Sequence, residues 1–206
     1  VAPHCKELVV ADFSDAIFMA RRNLEESDHA LFFMADIKDL PFRRQAFDFL
    51  FCLGVLHHLP SNALDEVRAL APLSPELLIY LYYALDNRPV HYRILLGGVH
   101  LVRHVCARIR TPFLREVLTW FLTVVTYLPL IALGHLFELV GMGKHVPLYE
   151  GYRGKGIGRI RQDVYDRFFT RIEQRFSREE IQQLTDTFSK IEVSDNLPYW
   201  HFICRR

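Results

Sequence analysis

The residues in this sequence best placed to do chemistry are two aspartates and a histidine-bearing loop. Val9-Val10-Ala11-Asp12 and Phe33-Met34-Ala35-Asp36 each close a short apolar run with an acid, and Cys52-Leu53-Gly54-Val55-Leu56-His57-His58-Leu59-Pro60 completes a third run. A carboxylate offers two acceptor oxygens, which suits paired hydroxyls or an amino group. An imidazole titrates near neutrality, so a histidine at a strand end can hold or move a proton. Each residue alone also has a plainer use: Asp12 and Asp36 as helix-capping or turn acids, Asp39 as a turn former, His58 as a structural ring and Asp48 as a tie at a strand start.

The elements that position them alternate. Residues 8–11 read as a buried strand, followed by a helix over 14–24 with Ser14 as N-cap. A strand over 30–35 leads through Asp39-Leu40-Pro41-Phe42 into a strand over 47–53. Asn62, with Asp65 three positions on, caps a helix reaching Ala71, and Pro72 and Pro75 close it before a strand over 77–83. This alternation predicts a parallel sheet with helices on both faces and ligands at the carboxyl ends of the strands. Farther on, a helix is expected over 163–175. Ser177 and Glu180 form a capping box ahead of Ile181, Leu184 and Phe188, and strands over 190–193 and 200–204, joined through Asp195-Asn196-Leu197-Pro198, give an antiparallel ending.

The strand-end pattern resembles the class I S-adenosylmethionine-dependent methyltransferase family. That resemblance implies a Rossmann-like α/β fold: a mixed sheet with antiparallel C-terminal strands and a helical cap insertion. It gives Asp12 the ribose hydroxyls and Asp36, followed by Leu-Pro-Phe, the adenine amino group. Phe13 and Ile37 go with their aspartates as cofactor-binding residues. Cys52, Leu53 and Gly54 pass beneath the methionine part of S-adenosylmethionine, and His57 sits nearest the chemistry as the candidate catalytic residue. The family's first strand and glycine-rich loop would precede Val1, and residues 1–7 read as the tail of the helix after that loop. Cofactor binding is therefore expected of the parent protein, and much weaker binding of this chain alone. The organisation expected is 1–86 as the cofactor-binding half, 87–162 as the helical cap with a basic glycine-rich loop, and 163–206 as the closing helices and strands.

With 206 residues, half of them hydrophobic, the chain can bury a full core, and its net charge of +1 gives no global field of the kind a dedicated nucleic-acid binder carries. Cys5, Cys52, Cys106 and Cys204 are far apart, which fits reduced thiols and a cytoplasmic setting better than a disulfide framework, and no metal site is implied.

The substrate should be read from the insertion. Residues 88–115 hold Arg88, Arg93, Arg103, Arg108, Arg110 and Arg115 with no acid. Leu95, Val99, Val102, Cys106 and Ile109 fall on one helical face, with Arg93, His100, His104 and Arg108 on another. Such a helix is either a solvated cap or a contact for a lipid surface or an anionic substrate. Residues 144–161 place Arg153, Lys155, Arg159 and Arg161 among four glycines, a loop that could fold over phosphate or stay solvated. Residues 117–137 have the length of a membrane span and no charge, but one crossing would separate strands of the same sheet. Pro129 is expected to break this stretch into two helices that double back, in a cap with no second core of its own.

Together these features predict methyl transfer to a small-molecule or lipid-linked acceptor, an anionic one included. The strand over 47–53, which the resemblance makes the family's fourth, is not followed by the Asn-Pro-Pro-Tyr string that related enzymes use for planar amino groups, which argues against nucleobase amino groups. If the acceptor is a hydroxyl, His57 is the first candidate base, with Asp166 and Tyr165 behind it. A non-catalytic binding module and a peripheral membrane protein, docking through 88–137, are the alternatives, with nucleic acid the weakest partner.

Overall fold

The computed structural model describes residues 2–86, 90–195 and 200–206. Val1, Arg88 and the Asn196-Leu197-Pro198 turn named above lie outside the described residues. The strands form two ladders. In the first, β1 (Leu8–Asp12) and β2 (Ala30–Met34) run parallel, with Asp12 opposite Met34, and α1 (Ala16–Asn23) makes the crossover. In the second, β3 (Leu50–Leu53) is parallel to β4 (Glu76–Leu81). The closing strands β5 (Lys190–Val193) and β6 (Trp200–Arg205) complete it antiparallel, in the order β3-β4-β6-β5. The mixed sheet with an antiparallel end is as the sequence predicts.

The sheet is interrupted: among the described residues no strand bridges β1 and β3. One feature differs from expectation, in that among those residues helices cover only one face of the four-stranded ladder. On that face Cys52, Leu77, Ile79, Leu81, Phe202 and Cys204 are buried against α2 (Ala63–Leu70) and α8 (Arg178–Gln182). On the other, Phe51 and Leu53 remain 40% and 45% exposed. The strict alternation of burial along β4 records this one-sided cover.

The helix signals hold at their caps. Asn62 Oδ1 accepts from the Leu64 amide at 2.8 Å, and Ser177 and Glu180 form both halves of the capping box. Ile181, Leu184 and Phe188 are buried as their spacing predicts. Other boundaries move for local reasons. The first helix begins at Ala16 because the amide and hydroxyl of Ser14 both donate to Asp12 Oδ1, holding Ser14 in the turn. The third strand begins at Leu50, since Phe47 is held by the Leu73 carbonyl and by the edge of Phe42. The opening residues form a short 3-10 turn, Ala2–His4.

A helical layer fills the insertion: α3 (Val90–Cys106), α4 (Pro112–Leu122), α5 (Leu128–Glu138), α6 (Tyr149–Tyr152) and α7 (Ile157–Phe169). It has a core of its own, contrary to expectation, because Leu122, Tyr127, Ile131, Tyr149, Tyr152 and Val164 converge from distant segments. α7 ends at Phe169 rather than at Arg175, and residues 170–176 run extended until Phe176 bridges Tyr83.

Pro129 does not break the chain in two. A π-helical segment, Thr123–Tyr127, joins α4 to α5, and the Leu128 amide donates to Thr123 O, five residues back. The wider turn leaves Pro129 at the start of α5, where its missing amide costs little, so Pro112–Glu138 is one continuous helix of 27 residues.

Candidate functional site

Asp12 and Asp36 stand together at the carboxyl edge of the first ladder, because β1 and β2 are parallel and the Ala35 amide donates to Asp12 O at 3.1 Å. Each carboxylate uses one oxygen to order its own turn. Asp12 Oδ1 accepts from Ser14 N at 2.8 Å and Ser14 Oγ at 2.7 Å, and Asp36 Oδ1 accepts from Lys38 N at 3.0 Å. The second oxygens have no partner among the described residues, so both acids are fixed in place with acceptor capacity left over. Phe13 follows with 74% of its surface exposed. Ile37, with Leu40, packs against the core beneath the second ladder.

Cys52, Leu53 and Gly54 end β3 on the second ladder. Cys52 is buried on the covered face, and burial pushes its thiol up to about 11, so what it offers at the edge is backbone rather than sulfur. Gly54 has φ +81°, a left-handed conformation that glycine adopts without strain, and its amide donates to Tyr80 O. This turn carries the chain into the 3-10 turn Leu56–His58 and places His57 at the end of the sheet.

His57 is fully buried and neither ring nitrogen has a partner within hydrogen-bond geometry. Its ring stacks on Tyr82 at 4.0 Å and 29°, with His58 at 4.2 Å and the edge of Tyr80 at 5.8 Å. Tyr80 in turn stacks on His201 at 4.9 Å, so a row of rings crosses the carboxyl edge of the sheet. Loss of water is the main reason the His57 pKa falls from 6.5 to about 3, with the charges of His58 and Arg175 adding to it and the Tyr80 backbone opposing weakly. The ring is neutral at physiological pH, and its basicity is far below that of an exposed histidine.

Sequence reasoning missed the residues behind this row. Arg175 lies over Tyr82 at 5.4 Å and pairs with Glu173 at 2.7 Å, and Arg103 from α3 approaches the same carboxylate at 3.6 Å while its guanidinium donates to Thr170 O. Glu173 is 3% and Arg103 9% exposed at the side chain, so two guanidinium groups share one buried acid. Gln174 fastens the segment to the His57 loop. Its side chain bonds Leu59 O, Ser61 O and the Ala63 amide, and its own amide donates to His57 O. The run Arg171-Ile172-Glu173-Gln174-Arg175-Phe176 has no period-2 alternation, so the sequence carried no signal for this strap. Asp166 on α7 borders the group. Partial burial, then Asp163, raises its pKa, with Arg159 and His58 opposing. The 144–161 segment is not a free basic loop: Arg153 meets Glu138, Lys155 and Arg159 meet Asp163, and Arg161 meets Glu116.

Residues 1–72 match the methyltransferase domain family. No curated protein matches the chain. Three solved structures are similar, each at 22% identity. The YcgJ protein of Bacillus subtilis has a TM-score of 0.40 over 50% of this chain and 45% of its own. BH2331, a proposed methyltransferase of Bacillus halodurans C-125, has a TM-score of 0.41 over 50% and 46%, and the PH0226 protein of Pyrococcus horikoshii OT3 one of 0.33 over 45% and 44%. The chain thus spans less than half the length of each. Over residues 1–72 it carries the pattern of the methyltransferase domain family, and its fold is a mixed α/β arrangement of parallel strands with an antiparallel ending.

Proposed function

We propose that the protein is an S-adenosylmethionine-dependent methyltransferase that binds its cofactor across the carboxyl ends of β1, β2 and β3. The observation that carries this reading is the placement of Asp12 and Asp36 at the carboxyl ends of adjacent parallel strands, each with an unused oxygen, inside the segment that matches the methyltransferase domain family. Asp12 would take the ribose hydroxyls and Asp36 the adenine amino group, with the exposed Phe13 beside the base. Bound there, S-adenosylmethionine supplies an electrophilic methyl group.

The chain's own task is then to align a nucleophile in line with that methyl and to keep water away. The row of rings around His57, closed by the Glu173–Arg175 strap and the helical layer, supports an acceptor site at the end of β3 and β4. Two arginines against one glutamate leave a surplus positive charge, which favours an anionic acceptor, small or lipid-linked. His57 enters as a neutral hydrogen-bond acceptor that orients a hydroxyl. Its complete burial also favours a second reading, a module that binds without transferring. Transfer of label from methyl-labelled S-adenosylmethionine to candidate acceptors, with the parent protein, tests the proposal. Label in an acceptor supports the enzyme, whereas cofactor binding without transfer to any acceptor tried supports the module.

A further inference from the structure

The helix Pro112–Glu138 is built inside out. Its hydroxyls face the protein: Thr119 and Thr123 are fully buried, donating to Arg115 O and Thr119 O, both at 2.7 Å. Its outward face is apolar, with Phe121, Val124 and Val125 between 52% and 56% exposed, and Trp120, at the edge of this face beside Arg161 of α7, 45% exposed. No charged residue occurs between Glu116 and Glu138, and only 33% of the most apolar 18-residue window is buried. A helix facing water has the opposite pattern. Neighbouring α3 repeats the inversion. Arg103 turns inward to Glu173, while Ile94, Leu101 and Val105 are 72%, 72% and 59% exposed on one stripe.

Charge identifies the occupant. Arg93, Arg108 and Arg110 are exposed and have no acidic partner among the described residues, whereas Arg153, Lys155, Arg159 and Arg161 are all paired. Two of the three unpaired arginines occupy the turn from α3 to α4, between the exposed Val105 and the 77% exposed Phe113. A wide apolar face with unpaired cations at its edge fits a leaflet bearing anionic headgroups. A second copy fits poorly. The acids of residues 90–138 are Glu116 and Glu138, both already paired, so two such faces would bring arginines together unopposed.

We propose that α3 and Pro112–Glu138 lie flat in the interfacial region of an anionic leaflet, with α7 on the water side. Two facts exclude a single crossing. The charged helix α7 packs along α3 and α4, with Arg161 paired to Glu116, and strands β4 and β6, before and after the layer, are hydrogen-bonded to each other. This inference goes beyond the methyltransferase reading and does not depend on it.

Tryptophan fluorescence reads the contact, since Trp120 is 45% exposed and Trp200 only 2%. With phosphatidylcholine vesicles containing phosphatidylglycerol, a blue shift and quenching by brominated acyl chains are expected, both absent in Trp120→Phe. Flotation should fall at least tenfold in Phe121→Asp/Val124→Asp and about fivefold for each of Arg108→Gln and Arg110→Gln at low salt, a fivefold change being what removal of one basic residue near an anionic surface produces. Circular dichroism checks that each variant is folded, and Thr123→Val, altered on the inner face, should float as the parent does. Absence of any vesicle response, or a stable dimer that shields Trp120 from both vesicles and acrylamide, would overturn the proposal. So would carbonate-resistant insertion with the two ends of the 112–138 helix labelled from opposite sides.

Discussion

His57 lies face to face with Tyr82, ring centroids 4.0 Å apart, with both imidazole nitrogens buried and unpaired. Burial in this row of rings, with the charges of His58 and Arg175 adding to it, keeps the ring neutral. The folded pKa is about 3 against an ordinary 6.5, so between those values the unfolded chain binds a proton that the folded chain refuses. This contribution to stability is complete above pH 6.5 and lost as pH falls toward 3. The slope reaches at most about 1.4 kcal/mol per pH unit. Denaturant titrations at pH 7 and 4.5 should show a smaller acid loss in His57→Phe than in the parent protein, and parallel losses would contradict the assigned environment.

Glu173 is the single acid between Arg103 and Arg175. Glu173→Gln leaves the buried guanidinium of Arg103 and the partly buried one of Arg175 without a counter-charge, a change that costs about 3–5 kcal/mol when one partner of a buried ion pair is removed. Thermal unfolding should register it as a fall of roughly ten degrees, taking about 2–4 °C per kcal/mol for a chain of this size. A change below about 1 kcal/mol would show the cluster to be solvated.

Gly134 marks a close approach of α5 to Tyr149 of α6. A Cβ there would lie 2.3 Å from ring atoms of Tyr149, whose hydroxyl is tied to His135 Nδ1 at 3.2 Å. Gly134→Ala should therefore destabilise by about 1–3 kcal/mol through overpacking, despite the gain in helix propensity. Gly97→Ala, with open space around its Cβ position, is the control and should be neutral or stabilising.

The strands and caps were legible in the sequence because they are local: apolar runs ending in Asp12 and Asp36, Asn62 ahead of its helix, and the Ser177–Glu180 box are each decided within a few residues. What was not legible depends on partners far along the chain. Nothing near Thr123 announces a π-turn that accommodates Pro129, and Tyr127, Tyr149 and Val164 form a core only once α5, α6 and α7 meet. The site divides the same way. The aspartates and His57 stand out by type and spacing, whereas Glu173 and Gln174 gain importance only because their strap returns to Arg103 and to the His57 loop, 70 and more residues earlier. Burial likewise overrides type at His57, whose ordinary pKa suggests a base that its surroundings do not provide.

Calorimetric titration of S-adenosylmethionine into the full-length protein, alongside Asp12→Ala and Asp36→Ala, tests the central claim most directly. Each substitution should weaken binding by about 1–3 kcal/mol, the scale for hydrogen bonds to a charged group and the groups left unpaired without it. Melting curves must accompany the Asp12 variant, since it also loses the two bonds from Ser14. Affinity unchanged in both folded variants would contradict the account, because the two strand-end carboxylates would then have no part in holding the cofactor.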